Sequence, residues 1–458
     1  MQISHQKLSL LLTIVFGLLF HPVFAEDINT DSIKENKDSL ETKQEAESFS
    51  RPLPIDIIQE FTHSFDKIRK EYVEDIDDKE ILTNAIKGML SGLDPHSTYL
   101  DSTSFEEIKE GTKGEFSGLG MEVGVEDKHI KVITPIDNSP AQKAGIRAGD
   151  FILKINNTPT RGMSLDDSVK LMRGEVGTTI TITILHEGSK TPEDITITRE
   201  VIKLSSVKSE LLKPDFAYAR LSSFQSRSAN DLKDQIKTLA KTNKSPLKGL
   251  ILDLRNNPGG ILTGAVDISD LFINQGLIVY TKGRHESSIQ KYSATQGDIL
   301  DSAPIVVLVN KGSASASEIV AGALQDHKRA IIMGQQSFGK GSVQTILPMS
   351  EKTAIKLTTA RYYTPSGKVI QAKGIVPDIV IENWKLDKTK SKFNSSVKEA
   401  DLEGHLSGAK ISSKDKNGEK SDKNLSKISS KLETDYLLNE ALNLLRGIDI
   451  LSKHKKAL

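Results

Sequence analysis

Short apolar stretches alternate with longer segments of helical periodicity between residues 216 and 333. Patterns typical of buried strands occupy 216–220, 250–252, 305–309 and 330–333, and helical patterns occupy 229–240, 262–272 and 317–325. Strands and helices in this order form a largely parallel sheet covered by helices, and functional groups collect at the carboxyl ends of the strands. This part of the chain is therefore predicted to be an α/β domain with its chemistry just after the second and third strands.

A run of small side chains, Gly312 to Glu318, joins the third of these strands to the next helix. The first N–H groups of a helix lack partners and carry partial positive charge, so an anion that forms there is stabilised. Ser315 is therefore a candidate nucleophile of a hydrolase. Ser315 and Glu318 also match the S-x-x-E capping box, in which the hydroxyl only caps the helix. The motif by itself favours neither interpretation.

Lys340 is the candidate general base. A serine hydroxyl needs a group that accepts its proton, and a lysine can do so if burial lowers its pKa towards about 7–8. Gln344 would lie on the same face of an extended strand and could orient the amine. Gly334, Gly339 and Lys340 also imitate a phosphate-binding loop, but Gly341 replaces the required Ser or Thr, and a strand-like segment follows in place of a helix. Nucleotide binding is therefore disfavoured.

A Ser–His–Asp triad is worth testing because Asp326 and His327 follow Ser315 closely. Helical residues rise by about 1.5 Å each, which separates His327 from Ser315 by roughly 18 Å and excludes a hydrogen bond. The chain has no cysteine, so thiol catalysis and disulfides are excluded. No spacing of His, Asp and Glu is typical of a catalytic metal site. We therefore expect neither a cofactor nor a metal.

Backbone N–H groups that could hold an oxyanion occur in two places. One is Ala316, directly after the candidate nucleophile, and the other is the loop 253–260 after the second strand. Gly259 and Gly260 in that loop can expose N–H groups without a side chain in the way. A Pro-Gly-Gly triplet is also an ordinary strand-to-helix turn, and the sequence does not decide between the two glycines.

The N-terminal 25 residues have the pattern of an export signal, with Lys7, an apolar run over 8–20 and a small-residue end at Ala25. The apolar run is shorter than the roughly 20 residues of a membrane span, although an uncleaved signal could still act as an anchor. The 61 basic and 61 acidic residues leave no cationic excess for a phosphate backbone, so nucleic acid is not an expected partner.

Composition and periodicity predict the order of the remaining segments. A flexible polar leader is expected at 26–50 and a small helical element at 51–112. Short strands with Gly-rich turns occupy 113–204, and the α/β core is expected at 205–384. A polar linker at 385–431 and an amphipathic helix at 432–458 complete the chain.

Residues 113–204 resemble a PDZ domain, on the stretches 116–123 and 139–156. In PDZ domains, loop N–H groups hold the terminal carboxylate of a peptide while the peptide adds a strand to the sheet edge. By the resemblance, residues 163–174 form the helix beside the ligand, and the carboxylate-binding loop consists of Gly118, Leu119, Gly120 and Met121. Met121 would contribute to a soft apolar pocket for the last side chain.

The PDZ-like segment together with the motifs at 312–318, 338–344 and 358–367 resembles the C-terminal processing peptidases, also called tail-specific proteases. The resemblance covers roughly 52–384 and resumes at 401–406 and in the final helix. It implies an α/β core of the crotonase/ClpP-like kind with an inserted PDZ domain and helical N- and C-terminal elements. It also implies the site residues. Ser315 would be the nucleophile, Lys340 the general base and Gln344 the residue that positions the base. The oxyanion donors would be Ala316 with Gly259 or Gly260.

The resemblance further implies a serine endopeptidase that cleaves exported proteins near their C-termini in the periplasm. Its substrates are expected to expose apolar C-termini, which the PDZ domain captures, and Arg173 is the candidate residue by which that domain regulates the site. An adaptor protein, a homodimer and peripheral association with the inner membrane stay open. The alternative is an exported PDZ scaffold with an inactive protease-like core.

Overall fold

The computed structural model describes residues 52–382 and 431–456. These residues belong to two units, and the boundary in the sequence falls between Asn84 and Ala85. The first unit contains helix α1 (Ile55–Glu71) and the start of α2 (Asp78–Ser91). The predicted signal, the leader at 26–50 and nearly all of the linker lie outside the described residues. Within the described part of the chain, no helix has the length and apolar character needed to cross a membrane.

The second unit continues with β1 (Thr98–Leu100) and α3 (Ser102–Lys113), after which the chain enters the β-rich segment. Strand β2 (Glu115–Gly118) pairs with β9 (Glu200–Lys203), so the two ends of this segment are held together. The elements between them are β3 (Met121–Glu126), β4 (His129–Pro135), α4 (Pro140–Lys143), β5 (Phe151–Ile155), β6 (Thr158–Pro159), α5 (Leu165–Met172), β7 (Thr179–Leu185) and β8 (Glu193–Thr198).

These strands form an antiparallel sheet in the order β3-β4-β5-β7-β8, with β6 paired to β5. Its core is rich in isoleucines such as Ile130, Ile152 and Ile182, which alternate with outward residues along their strands. Helix α5 lies where the sequence predicts the helix beside the ligand. Because β3 is the edge strand, one of its sides is free to pair with an added peptide.

The α/β region follows the predicted alternation of strands and helices. Its elements are β10 (Val207–Lys213), β11 (Phe216–Leu221), α6 (Ser228–Asn243), β12 (Gly249–Asp253), α7 (Leu262–Asp270), β13 (Leu277–Gly283), β14 (Gln290–Ser293), β15 (Ile305–Val309), α8 (Ala316–Asp326), β16 (Ala330–Gly334), β17 (Ser342–Pro348), β18 (Ala354–Tyr363), β19 (Ile379–Val380) and the C-terminal α9 (Tyr436–Lys456).

A six-stranded sheet runs in the order β10-β11-β12-β15-β16-β19, and all pairs except β10–β11 are parallel. Leu250 and Leu252 point to the face covered by α6, α7 and α8, whereas Ile251 points to the face covered by α9. Burial on both faces explains why the central strands are apolar without alternation. The predicted α/β core, preceded by a small β-rich segment, is thus confirmed. Strands β12 and β15 end at the same edge of the large sheet.

A second sheet is antiparallel and is built around β18. Strand β17 pairs with one edge of β18, and β1 and β13 pair with different parts of the other edge. Strand β14 pairs with β13. The sequence patterns did not predict this sheet. Its strands β1 and β18 pair Thr98 with Lys356, so the pairing is distant in sequence and leaves no local signal. The sheet matters for function because β17 and β18 carry residues that face Ser315.

Candidate active site

Ser315 lies at the turn from β15 into α8, with φ 58° and ψ −114°. A residue with a side chain rarely adopts this conformation, which costs on the order of 1–3 kcal/mol and is typical of functional sites. The neighbouring loop approaches closely, since a Cβ atom at Gly259 would lie 2.8 Å from the Cβ of Ser315. The turn therefore presents the hydroxyl from a strained backbone against a loop that only glycine permits.

Glu318 connects the backbones of the two candidate catalytic residues. Its carboxylate is fully buried and accepts four hydrogen bonds, from the N–H of Ser315 (2.7 Å), Gly339 (2.6 Å) and Lys340 (2.9 Å) and from Ser337 Oγ (2.6 Å). One oxygen, Oε2, takes both the Ser315 and the Lys340 N–H groups. The acidic residue of the predicted capping box is therefore also the group that fixes the backbone of Lys340 beside that of Ser315.

Tyr362 contacts the Ser315 side chain from β18. Its phenol oxygen is 2.8 Å from Ser315 Oγ and also bonds to the carbonyl of Lys340. A phenol has one proton, so it donates to only one of these oxygens at a time. Burial raises the pKa of Tyr362 above its usual range, which keeps the phenol protonated. Tyr362 belongs to the sequence motif at 358–367, but the sequence alone predicted no role for it.

Lys340 is half-buried, and burial lowers the pKa of its amine, as does the charge of Lys356, whereas Glu318 acts in the opposite direction. This is the direction that a general base requires. Among the described residues, no hydrogen bond joins Lys340 Nζ to Ser315 Oγ, and the side-chain partner of that hydroxyl is the phenol of Tyr362. Catalytic hydrogen bonds are often long in a free enzyme and tighten only once a substrate is bound.

Gln344 lies on β17, and its Nε2 donates to Ser342 Oγ at 2.8 Å and to Thr358 Oγ1 at 3.4 Å. The strand begins two residues after Lys340, and its register shifts between Val343 and Gln344. The simple alternation that placed Gln344 on the same face as Lys340 is therefore interrupted. Gln344 nevertheless lines the same cavity as Ser315.

The structure distinguishes the two glycines of the 253–260 loop. The Gly259 N–H donates to Asn257 Oδ1 at 2.9 Å, so it is occupied. The N–H groups of Gly260 and Ala316 have no acceptor within the described part of the chain. A side chain at Gly260 would collide with the carbonyl of Phe224, at 2.1 Å from the Cβ position. Gly260 and Ala316 thus have free N–H groups among the described residues, and both line the same cavity as Ser315.

A cavity of about 540 Å³ is lined by Ser315, Ala316 and Gly260, whereas Lys340 is not among its lining residues in the described part of the chain. Ser315, Gly260, Gln344 and Tyr362 lie on the core side of the cavity. Helix α3 also lines the cavity, through Glu107, Ile108, Gly111 and Thr112. A movement of α3 would therefore change the space in which a peptide bond meets Ser315.

His327 does not take part in this site. It follows the last residue of α8, and its Nε2 bonds to the carbonyl of Leu277. The segment after Gly341 is strand β17, which is not the helix that a phosphate-binding loop needs.

The predicted carboxylate-binding loop lies between β2 and β3. Gly118 ends β2, Met121 begins β3 and is half-buried, and Leu119 is buried in the core of the small sheet. Gly120 has φ 76°, and a Cβ atom there would lie 2.3 Å from Ser139 Cβ. The N–H groups of Leu119 and Gly120 have no acceptor in the described ranges, and β3 continues from them as the free edge strand.

Arg173 follows α5 and forms an ion pair with Glu110 of α3, at 2.7 Å. Its guanidinium also lies over the ring of Phe116, 5.8 Å from the centroid. The helix beside the ligand groove is therefore joined to the helix that forms one wall of the cavity at Ser315.

Comparisons with known proteins agree with this architecture. Residues 215–381 match peptidase family S41, residues 131–185 match a PDZ domain, and residues 18–104 match the N-terminal domain of the activating protease CtpB. A carboxy-terminal-processing protease of Bartonella bacilliformis is 47% identical over 84% of this chain and 88% of its own length. A carboxyl-terminal-processing protease of Synechocystis sp. is 38% identical over 69% of this chain and 74% of its own length.

Among solved structures, the photosystem II D1 C-terminal processing protease is 32% identical, covering 69% of this chain and 85% of its own, with a TM-score of 0.42. The extent and identity of the match to the Bartonella protein decide the family. The chain belongs to peptidase family S41 and is a carboxy-terminal-processing serine protease with a PDZ domain. The family predicted from the motifs is thus confirmed.

Proposed function

We propose that Ser315 is the nucleophile and Lys340 the general base of a Ser-Lys dyad. The observation that carries this proposal is the shared carboxylate oxygen of Glu318, which holds the N–H groups of Ser315 and Lys340 next to each other. The lowered pKa of Lys340 and the two free N–H groups beside Ser315 support the same assignment. Gln344 is proposed to position the Lys340 amine, since it lines the cavity beside Ser315.

In the proposed reaction, Ser315 Oγ bonds to the carbonyl carbon of the scissile peptide while Lys340 Nζ takes the hydroxyl proton. The N–H groups of Gly260 and Ala316 stabilise the resulting oxyanion. The C–N bond breaks as Lys340 returns the proton to the leaving amine, and water then hydrolyses the ester. For the first step, the Ser315 hydroxyl must donate its proton to the Lys340 amine. Tyr362 can keep donating to Ser315 Oγ, since a hydroxyl accepts as well as donates.

The PDZ domain, assigned to residues 113–204 ahead of a core at 205–384, is proposed to capture the substrate tail. The free N–H groups of Leu119 and Gly120 suit a terminal carboxylate, and the open edge of β3 suits an extended peptide. Holding the tail there raises the effective concentration of the nearby peptide bond at Ser315. The substrates are exported proteins with apolar C-termini, and the signal at 1–25 directs the enzyme itself to the periplasm.

Arg173 is proposed to couple tail binding to the site. Its ion pair with Glu110 crosses from the end of α5 to α3, and α3 forms one wall of the cavity. A tail that settles between β3 and α5 changes the position of the α5 end, and α3 moves with it.

The test of the function is cleavage of an unfolded protein that ends in apolar residues, with product masses measured. Ser315→Ala and Lys340→Ala are expected to abolish cleavage, with a loss in turnover approaching about 10⁶-fold for the serine. If Ser315 were only a helix cap, its replacement would cost about 1 kcal/mol of stability and spare the activity. Binding of the tail without any cleavage by the intact protein would favour the alternative, a PDZ scaffold with an inactive core.

A further inference from the structure

A chain of hydrogen bonds leads from Gln344 to a carboxylate outside the cavity. Gln344 Nε2 is 3.4 Å from Thr358 Oγ1, and Thr358 Oγ1 is 3.1 Å from Asp94 Oδ1. Asp94 lies in the turn between α2 and β1, far from Gln344 in sequence. The proposed mechanism gives no role to Asp94 or to Thr358, although Thr358 begins the motif at 358–367.

The turn that contains Asp94 is attached firmly to β18. The carboxylate of Asp94 accepts from Ser97 Oγ at 2.7 Å and from the N–H groups of His96 (2.8 Å) and Ser97 (3.1 Å), and Ser97 Oγ accepts from the Thr358 N–H at 3.1 Å. These bonds, the Ser97 hydroxyl first, lower the pKa of Asp94 and keep it ionised. Asp94 is therefore an acceptor of fixed charge at the end of the chain of bonds.

The charge of Asp94 sets the direction of every bond in this chain. A carboxylate can only accept, so the single proton of the Thr358 hydroxyl is donated to Asp94. The lone pairs of Thr358 Oγ1 then accept from the Gln344 amide. The second N–H of Gln344 is taken by Ser342 Oγ at 2.8 Å. Both donors of the amide are thus occupied, while its Oε1 has no donor among the described residues.

The free Oε1 is the atom of the amide that is left to accept a hydrogen bond, and an amine such as that of Lys340 is a suitable donor. The reverse amide orientation would present two N–H donors to a group that is itself a donor when protonated. His96, next to Asp94, is also near Lys340, because the Lys340 charge contributes, after burial, to a lowered pKa of that histidine. The charged and titratable groups around Lys340 are then His96, Lys356 and Glu318.

We propose that Asp94 is a positioning residue for the peptidase reaction: through Thr358 it fixes the Gln344 amide with its oxygen presented to Lys340. This inference rests on the proposed Ser-Lys dyad. Asp94 touches neither the substrate nor the reacting atoms, so its effect passes entirely through the orientation of Gln344.

The experiment compares kcat, KM and the pH profile of kcat/KM for Thr358→Val, Asp94→Asn and the double variant in the full chain. Each single change is expected to lower kcat by up to about 100-fold with little change in KM, because it misorients the group that holds the base. The loss of an acceptor disfavours the Lys340 ammonium, so its pKa falls and the acid limb moves to lower pH. The kcat of the double variant should be no lower than that of the more severe single variant, because Asp94 and Thr358 act on Gln344 through the same chain of hydrogen bonds.

Thr359→Val is the matched control. Thr359 is the next residue of the same strand, and its hydroxyl pairs with Thr345 Oγ1 at 2.6 Å, away from Gln344. It should retain the wild-type rate and pH profile. If Thr358→Val and Asp94→Asn behave like Thr359→Val, or lose only thermal stability without a shifted acid limb, the inference is overturned. If Lys340→Ala retains activity, the dyad itself fails, which is a separate result.

Discussion

Two carboxylates in this protein, those of Glu318 and Glu110, differ in burial and in the number of hydrogen bonds that they accept. Glu318 is fully buried and accepts four hydrogen bonds, whereas Glu110 holds Arg173 in a pair whose side chains are 28% and 41% exposed. Each bond to Glu318 that is lost leaves a buried donor unpaired, at about 1–3 kcal/mol each. An exposed ion pair is worth about 0–1 kcal/mol and breaks easily.

The comparison indicates where the enzyme is rigid and where it can move. The backbones of Ser315 and Lys340 are both held by the Glu318 carboxylate, and moving that carboxylate would cost several hydrogen bonds. The ion pair between the PDZ domain and α3 is partly exposed and contributes little to stability. The proposed dyad therefore lies in the rigid part, and the proposed regulatory residue Arg173 lies in the weak contact.

The strongest test of the rigid part is Glu318→Gln. The amide has one acceptor oxygen in place of two, so about two of the four donors lose their partner, and the free energy of unfolding should fall by about 2–6 kcal/mol. Urea denaturation measures this loss, and cleavage should fall with it. Ser337→Ala removes one donor and keeps the carboxylate, so it should cost less. A Glu318→Gln protein as stable and active as wild type would break the comparison.

A Gly259→Ala exchange tests the close approach of the loop to the nucleophile. The new Cβ would lie 2.8 Å from Ser315 Cβ and 2.9 Å from the Ala314 carbonyl, so the serine must shift. Turnover is expected to fall about 100-fold. Gly297→Ala is the control, because Gly297 also has a positive φ (145°) but no atom within 4 Å of its Cβ position. Equal activity losses in both variants would show that backbone strain, and not contact with Ser315, is responsible.

A Lys356→Gln exchange tests the electrostatics of the base. Lys356 disfavours the ammonium form of Lys340, so its removal should raise the pKa of Lys340. A higher pKa leaves less neutral amine at a given pH, and the acid limb of kcat/KM should move to higher pH by less than about 1 unit. Lys352→Gln, in the turn between β17 and β18, should leave the profile unchanged. A shift to lower pH would contradict the proposed role of Lys340.

The smallest effect on stability is expected for Arg173→Ala. Because the pair with Glu110 is exposed, the free energy of unfolding should change by less than about 1 kcal/mol. Cleavage of a substrate with an apolar tail should nevertheless fall. The control is Lys143→Ala, which breaks another exposed pair of the PDZ domain, with Glu200, that does not reach α3. If Arg173→Ala cleaves the tailed substrate as wild type does, Arg173 has no regulatory role.

Much of the fold could be predicted because its signals are local. Apolar runs such as Ile305–Val309, helix starts such as Ala316 and the glycine-rich PDZ turns each depend on neighbours in sequence. The same holds for the placement of Ser315 after a buried strand. The second sheet was missed, since its pairing of Thr98 with Lys356 has no local pattern.

The sequence by itself determined the alternation of strands and helices, the family, and the residue types that a serine peptidase needs. Only the tertiary structure decided which groups bond to one another: Glu318 to two backbone N–H groups, Tyr362 to Ser315, the Gly259 N–H to Asn257, and Thr358 to Asp94. The physical reason is that secondary structure depends on residues a few positions apart. A hydrogen-bond partner is chosen among all the groups that folding brings together.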